Sequence, residues 1–324
     1  MAGVLGLGLR MSEQTRLTIL VCTHNRAGLL GRLLTSLNAA QRPADWAVDV
    51  LVAANACTDE THDHLQAYQQ RQGVDGLLPL AWFAIPRPGK SHALNAAMTR
   101  LIADWVAFVD DDHRIDPHWL ISLTHAIEQT PQADLVCGRV LQDWDGREPA
   151  WVHDTGPYRI YPLPIPRQDY GDTPRELTLE GPLPGGGNLV VRREWIERIG
   201  LFRTELGPTG HDLGGAEDME WLKRGLGLGA RLFYVPQAVQ YHYVDLERLR
   251  LDYLMRKAYQ RSASVVAIEA GSGRVPLYLY RKLADYGLKS LLALRSDRRR
   301  FYLVRTAAAL GEIAGHRLRN RAEV

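Results

Sequence analysis

Four short apolar runs alternate with amphipathic stretches over the first 110 residues, and this alternation restricts the fold more than any other feature of the chain. Leu17–Cys22, Val48–Ala53, Leu80–Ile85 and Val106–Val109 are rich in β-branched, aromatic and other apolar residues and too short for helices, so each reads as a buried strand. Between them, helical spacing predicts helices from the Thr23–Gly28 turn to about Ala40, from Thr58 or Asp59 through Tyr68, and from about Ser91 to Ile102. Strands alternating with helices favour a parallel sheet covered on both faces. The fourth run leads straight into Asp110-Asp111-Asp112. Ligands of open α/β sheets bind at the carboxyl ends of strands, and hard cations take oxygen ligands, so these acids suggest a metal held against a phosphate. They equally suit a solvated acidic loop ahead of the helix that Asp116-Pro117 would start, over His118–Gln129.

With 324 residues the chain can form one large domain plus an appendage, or two small domains. Its 46% hydrophobic and 23% charged residues are those of an ordinary soluble globular protein. The charge is unevenly placed: residues 246–324 hold 17 Lys/Arg against 7 Asp/Glu, whereas the preceding part holds 22 against 30. Such asymmetry points to an anionic partner for the tail, lipid or nucleic acid. No nucleic-acid-binding motif accompanies the charge, so nucleic acid is not expected. Cys22, Cys57 and Cys137 show no metal-ligand spacing, which fits a reduced cytoplasmic setting. Residues 1–16 read as a disordered extension without the charged leader and cleavage site of a signal peptide. Nowhere is there an apolar run of about 18 residues, so no membrane-spanning helix is predicted.

Further along, Leu135–Leu141 reads as a strand, and the regular pattern then breaks down from Gln142 to Gly187. That proline-rich segment carries Trp144, Trp151, Tyr158, Tyr161 and Tyr170, and is either a lid or acceptor wall with aromatic platforms or a surface excursion. Order returns with a strand at Asn188–Val191, helices at Arg193–Ile199 and from Gly214 to Arg224, and strands at Arg231–Val235 and Val239–Tyr243. From Leu246 onward the spacing is mostly helical. Leu277, Tyr278, Leu283, Tyr286, Leu288, Leu291, Leu292 and Leu294 interleave with Arg281, Lys282, Lys289, Arg295 and Arg298–Arg300. This pattern suits a helix lying in an anionic membrane interface, or one packed on the preceding domain with a solvated basic face. Gly89-Lys90-Ser91 looks like a phosphate-binding loop, but the nucleotide-binding pattern needs a Gly where Ala84 stands inside the third strand, and is excluded.

Several of these loops together match one pattern. Thr18–Gly28, Asn55–Thr61, Gly89–Asn95, Val109–Asp112, Gly186–Arg193, Gly200-Leu-Phe202 and Gly215–Glu220 follow in the order and spacing of one family. Over residues 17–245 the chain resembles the family 2 glycosyltransferases. The resemblance implies an α/β fold of the GT-A type, a nucleotide-sugar-binding domain with a mostly parallel central sheet, here followed by a helical C-terminal extension at 246–324. It implies an inverting, metal-dependent transfer of a sugar from a nucleotide-sugar donor, of the UDP class, to a hydroxyl of a glycan or lipid-linked acceptor. With the basic tail, it places the enzyme in the cytoplasm, peripheral on the inner face of the cell membrane. The alternatives are a nucleotidyltransferase, and a non-catalytic nucleotide-sugar-binding membrane scaffold.

Residue by residue, the resemblance sets Asp110 near the donor ribose, Asp111 at the variable middle position and Asp112 on a Mn²⁺ or Mg²⁺ ion. His242, in Tyr241-His-Tyr243, is the further metal ligand. Asp218 is the base that takes the acceptor proton, with Glu217 beside it and Gly214-Gly215 allowing close backbone approach. Thr23, Asn25 and Arg26 face the nucleotide base and ribose, and Lys90 with Asn95 meets the diphosphate or ribose. Gly186, Gly187 and Asn188 shape the sugar and acceptor site. Many members carry an acid where this chain has Ala53 and Ala54, so Asn55 is left to meet the base and the base identity stays open.

Overall fold

The structure is a computed structural model that describes residues 14–73, 76–205, 217–269 and 275–322. It divides into two compact units: one comprises residues up to Asp143 together with Arg167–Tyr243, the other Trp144–Pro166 and the chain from Val244 onward. The N-terminal residues 1–13 lie outside the described residues.

The first unit is built on a mixed sheet. Strands β1 (Thr15–Thr23), β2 (Trp46–Asn55), β3 (Leu80–Ile85) and β4 (Trp105–Asp110) run parallel in the order β3-β2-β1-β4, as the alternation predicts. Beyond β4 the sheet continues with β8 (Asn188–Arg192), β6 (Leu135–Asp143), β9 (Leu232–Tyr243) and β5 (His113–Ile115). There β8 is antiparallel to β4 and β6, and β9 runs parallel to β6. The two strands expected at 231–235 and 239–243 are one strand, with a register shift against β6 at Gly138/Arg139. Pro236 and Gln237 do not stop it, because a bulge absorbs the proline's missing N–H. Two short strands escape the sequence reading: β5, and β7 (Arg175–Leu177), which pairs antiparallel with β9.

Helices cover both faces. α1 (Ala27–Ala39) buries Ala27, Leu30, Leu33, Leu34 and Leu37, the stripe expected of a helix docked on a sheet. With α2 (Thr61–Arg71) and α4 (Trp119–Gln129) it packs on Leu17, Ile19 and Val21 of β1. On the other face, α3 (Lys90–Met98), α5 (Arg193–Ile199) and α6 (Glu217–Gly227) cover Leu20, Phe108 and Tyr234. Each fully buried leucine here contributes roughly 1.5–3 kcal/mol. No side chain caps α1 locally; its Ala27 N–H donates to Asp59 Oδ2 from the neighbouring loop at 3.0 Å, and Asp59 also receives the Thr61 N–H at the start of α2. One carboxylate thus joins the starts of two helices.

The second unit consists of α7 (Leu251–Glu269), α8 (Leu277–Leu292) and α9 (Ser296–Ala322) with the segment 144–166. Trp144, Trp151 and Tyr158 of that segment are packing groups of this unit, whereas Tyr161 is exposed. Tyr158 meets the rings of Phe301 and Tyr302, and Arg300 lies over Trp151 and pairs with Asp154. Trp144 and Trp151 line a small core around Ile165, Val244 and Leu249. Tyr170, by contrast, belongs to the first unit and packs edge-on against Tyr234.

Candidate active site

Because β1 to β4 are parallel, their carboxyl ends lie at one edge of the sheet. Register places Cys22 opposite Asp110, Thr23 opposite Ala54, and Asn55 opposite Ile85. β8 starts antiparallel at the same level, Asn188 opposite Val109, so Gly186 and Gly187 arrive at this edge too. Their missing side chains are required there. A Cβ on Gly186 would stand 2.7 Å from the Asp218 carboxylate, and one on Gly187 2.5 Å from Asp110 Oδ2.

Five acids and two cations meet in this cluster. Lys90 Nζ donates to Asp110 Oδ1 at 3.0 Å and lies 3.7 Å from Asp218 and 3.8 Å from Glu217. Arg26 Nη1 donates to Asp111 Oδ1 at 2.8 Å and to Asp112 Oδ2 at 3.1 Å, and the Thr23 hydroxyl donates to Asp111 Oδ2 at 2.7 Å. The Gly186 N–H donates to Asp218 Oδ2 at 3.1 Å, leaving Oδ1 without a hydrogen bond among the described residues.

The charges respond to these neighbours. Burial alone would raise the Asp110 carboxyl, but adjacent Lys90 outweighs it and holds the group well below the usual carboxylate range. Asp111 is pushed up to about 6 by burial, which the Arg26 guanidinium opposes and the charge of Asp112 reinforces. Glu217, almost fully buried, is pushed up to about 7 by burial and by Asp218, against the pull of Lys90. Burial lowers the Lys90 ammonium, yet Asp110, Asp218 and Glu217 together hold it above its ordinary value.

Among the described residues, Asp112, His113 and His242 form the group able to hold a metal ion, with one ligand atom of each within 4.8 Å of the others. The donor set fits a divalent ion. His242 Nδ1 lies 2.6 Å from the Tyr243 carbonyl, to which only a protonated nitrogen can donate, so Nε2 turns its lone pair toward Asp112 Oδ2 at 3.6 Å. Burial, partly offset by Asp112, lowers the His242 pKa, which favours the neutral ring that a metal ligand must be. His113 is the residue the sequence reading missed. It pairs directly opposite His242 across β5 and β9, with ring centroids 5.2 Å apart. Its adjacency to the triple acid was the available signal.

Other expected residues are engaged elsewhere. The Asn55 amide spans the backbone, donating to the Arg87 carbonyl and accepting from the Gly89 N–H, and so shapes the turn into α3. Asn95 exchanges two hydrogen bonds with the Phe202 backbone and is not brought to the cluster. Asn25, at φ 52°, accepts from the Thr58 and Asp59 N–H groups. Asn188 is fully buried, accepting from Trp119 Nε1 and donating to the Arg139 and Ala238 carbonyls. All four asparagines satisfy buried or turning backbone, which is what an amide with donors and an acceptor does well. Gly214 and Gly215 lie outside the described residues.

A cluster of rings supports the site from behind. Phe202 stacks on Trp221 at 5.0 Å, Phe108 meets both edge-on at 6.0 Å, and Trp221 Nε1 donates to the Gly200 carbonyl at 2.7 Å. Gly200-Leu-Phe202 thereby ties α3, which carries Lys90, to α6, which carries Glu217 and Asp218.

The model of the family described as Glycosyl transferase family 2 matches residues 18–200. The chain belongs to glycosyl transferase family 2. Among curated relatives of this member, the succinoglycan biosynthesis protein ExoM of Rhizobium meliloti (strain 1021) is 25% identical over 77% of this chain and 74% of its own length. The glucosyl-dolichyl phosphate glucuronosyltransferase of Haloferax volcanii is 26% identical over half of each chain. Among solved structures, TarS of S. aureus aligns with a TM-score of 0.55 at 16% identity over 94% of this chain and 55% of TarS. TarS 1–349 in complex with UDP aligns over 95% of this chain and 92% of its own, at 15% identity and the same score. The mannosyltransferase PcManGT of Pyrobaculum calidifontis, in complex with GDP-Man and Mn²⁺, gives 0.53 at 19% identity over 92% and 88%. These structural likenesses concern the fold, which is the GT-A α/β arrangement.

Proposed function

We propose that this family 2 enzyme is an inverting, metal-dependent glycosyltransferase that moves a sugar from a nucleotide sugar, of the UDP class, to a hydroxyl of a glycan or lipid-linked acceptor. The observation that carries this reading is the bridge made by Lys90 between Asp110, the donor-side acid, and Asp218. One ammonium reaches both carboxylates, so a donor seated on Asp110 would present its sugar within reach of Asp218. The bridge also gives Lys90 a second role, since its charge is available to the donor diphosphate once Asp110 turns to the ribose.

In the step proposed, the acceptor oxygen bonds to the anomeric carbon as that carbon's bond to the diphosphate oxygen breaks. Asp218 Oδ1, which accepts no hydrogen bond among the described residues, takes the acceptor proton, and the nucleoside diphosphate leaves from the opposite side of the sugar, which inverts the configuration. Gly186 holds Asp218 through its N–H, and Gly187 leaves room beside Asp110. Asp112 and His242, with His113 beside them, would hold a Mn²⁺ or Mg²⁺ ion, whose chemistry is to neutralise the leaving diphosphate. Two imidazoles beside one carboxylate favour the softer Mn²⁺ over Mg²⁺. Arg26, now shared by Asp111 and Asp112, is the group positioned to move onto a phosphate when an ion takes up the charge of Asp112.

The names of the curated relatives, a succinoglycan biosynthesis protein and an enzyme of glucosyl-dolichyl phosphate, support a glycan or lipid-linked acceptor for this chain. We assign the donor chemistry to residues 17–245 and a membrane-facing role, at the inner face of the cell membrane, to the basic residues 246–324. Asp218→Asn is expected to reduce turnover by about 10²–10⁴-fold while nucleotide-sugar binding persists. Steady-state kinetics beside a thermal-shift titration with donor check this; near-normal turnover in the folded variant would overturn the assignment.

A further inference from the structure

The helices of the second unit sort the apolar residues of the basic tail into two groups. α9 turns Ala307, Ala309 and Ile313 inward, and its Gly311 and Gly315 lie against the backbone carbonyls of Tyr259 and Ala263 in α7. α8 buries Leu279 and Ser290, with Leu283 and Tyr286 half-buried on the same side. Its opposite side carries Leu277, Leu288, Leu291 and Leu292, 57–81% exposed, and Leu294 in the following turn is fully exposed. At about 100° per residue these four leucines share one sector roughly 100° wide. A helix that is apolar on two sides and covered on one retains an unpartnered face.

Charge identifies what would cover it. Arg281 falls within the same sector, and neither it nor Arg299, at the first turn of α9, has an ion-pair partner among the described residues. Residues 277–300 hold seven basic and two acidic side chains. A second copy of the chain meeting this face about a two-fold axis would set Arg281 and Arg299 against themselves or each other, an unfavourable arrangement. An anionic bilayer accepts both components, leucines below the headgroups and guanidinium groups among the phosphates. None of the described helices is long and apolar enough to cross a membrane.

We propose that the outer face of α8 and the Leu291–Leu294 corner form an in-plane docking surface for an anionic lipid bilayer. This deepens the function proposed above and rests, for its purpose, on the acceptor being lipid-linked; binding itself requires no turnover. The test is co-sedimentation of the full chain with vesicles of phosphatidylcholine containing phosphatidylserine, beside vesicles of phosphatidylcholine alone. Binding should favour the anionic vesicles and weaken with salt. L291E/L292E should lower it by at least about tenfold, and R281E/R299E by about tenfold or more. These positions are exposed, so helix content by circular dichroism should not change. Asp218→Asn should bind vesicles like the parent, which separates docking from the transfer chemistry. No vesicle binding by the parent, or equal binding by L291E/L292E, overturns the proposal. So does a dimer in size-exclusion chromatography that L291E/L292E dissolves, because the face would then be covered by a second copy.

Discussion

At the scale of single residues, Glu217 is a carboxyl held in an unfavourable setting for its charge. Its Oε2 has no hydrogen-bond partner among the described residues, and burial and the charge of Asp218 push its pKa up from an ordinary 4.5 to about 7. A carboxyl whose pKa is raised on folding binds its proton more tightly in the native state. Its contribution to stability is therefore complete below pH 4.5 and is lost as pH rises through about 7. Glu217→Gln should flatten this dependence, removing at most about 3 kcal/mol of the difference between acidic and neutral conditions. Urea denaturation of parent and variant at pH 5 and pH 8 measures it; parallel curves would show that Glu217 ionises freely. Lys90 is the counterweight, and its ammonium lets two adjacent acids stand together at the start of α6. Asp110, Asp112, Asp218 and Lys90 were legible from local motifs. His113 was not, because its meaning depends on pairing with His242, 129 positions away in the chain.

Among the elements, α7 and α9 pack closely enough for a single atom to matter. A Cβ on Gly311 would collide with the Tyr259 carbonyl, a backbone atom that cannot swing aside. Alanine is the better helix former by about 1 kcal/mol, whereas overpacking costs about 1–3 kcal/mol and more against backbone. The clash should win, so Gly311→Ala is expected to destabilise the second unit, while Gly287→Ala on α8, with open space around it, should not. Thermal unfolding followed by circular dichroism compares the two; a stabilised Gly311→Ala would refute the packing described. The principal strands and helices were readable because their apolar periodicity is local. β5 and β7 were not, since three residues carry no period and owe their extended state to β9 alongside them. β9 was divided at Pro236 for the converse reason: a local breaker was overruled by the ladder on both sides.

For the whole molecule, the consequence of the parallel register is that residues at the carboxyl ends of β1 and β4 and at the starts of α3 and α6 form one charged cluster. Five carboxylates against Arg26 and Lys90 leave an excess of negative charge that a divalent ion would relieve. Mn²⁺ with a suitable nucleotide sugar should then stabilise the protein by about 2.7 kcal/mol at a hundredfold excess over Kd, a rise of several degrees in Tm. His242→Ala should abolish the Mn²⁺-dependent part of that rise. A differential scanning fluorimetry screen of nucleotide sugars with and without Mn²⁺ reads both, and equal stabilisation of parent and variant would remove His242 from the ion site.

The alternating α/β fold, the family and the acids proposed for the transfer chemistry were readable from the chain alone, because apolar period and contiguous motifs are local properties. The sequence also marked the tail as basic and amphipathic. Tertiary structure was needed to place Asn55, Asn95 and Asn188 on backbone groups, Lys90 between Asp110 and Asp218, and His113 beside His242. It was likewise needed to settle which side of α8 stays uncovered, and the packing of Trp151 and Tyr158 against α9, more than 100 positions later. These depend on which distant segments become neighbours, and a hydrogen-bonding side chain or an exposed leucine has no fixed role until its neighbours are set.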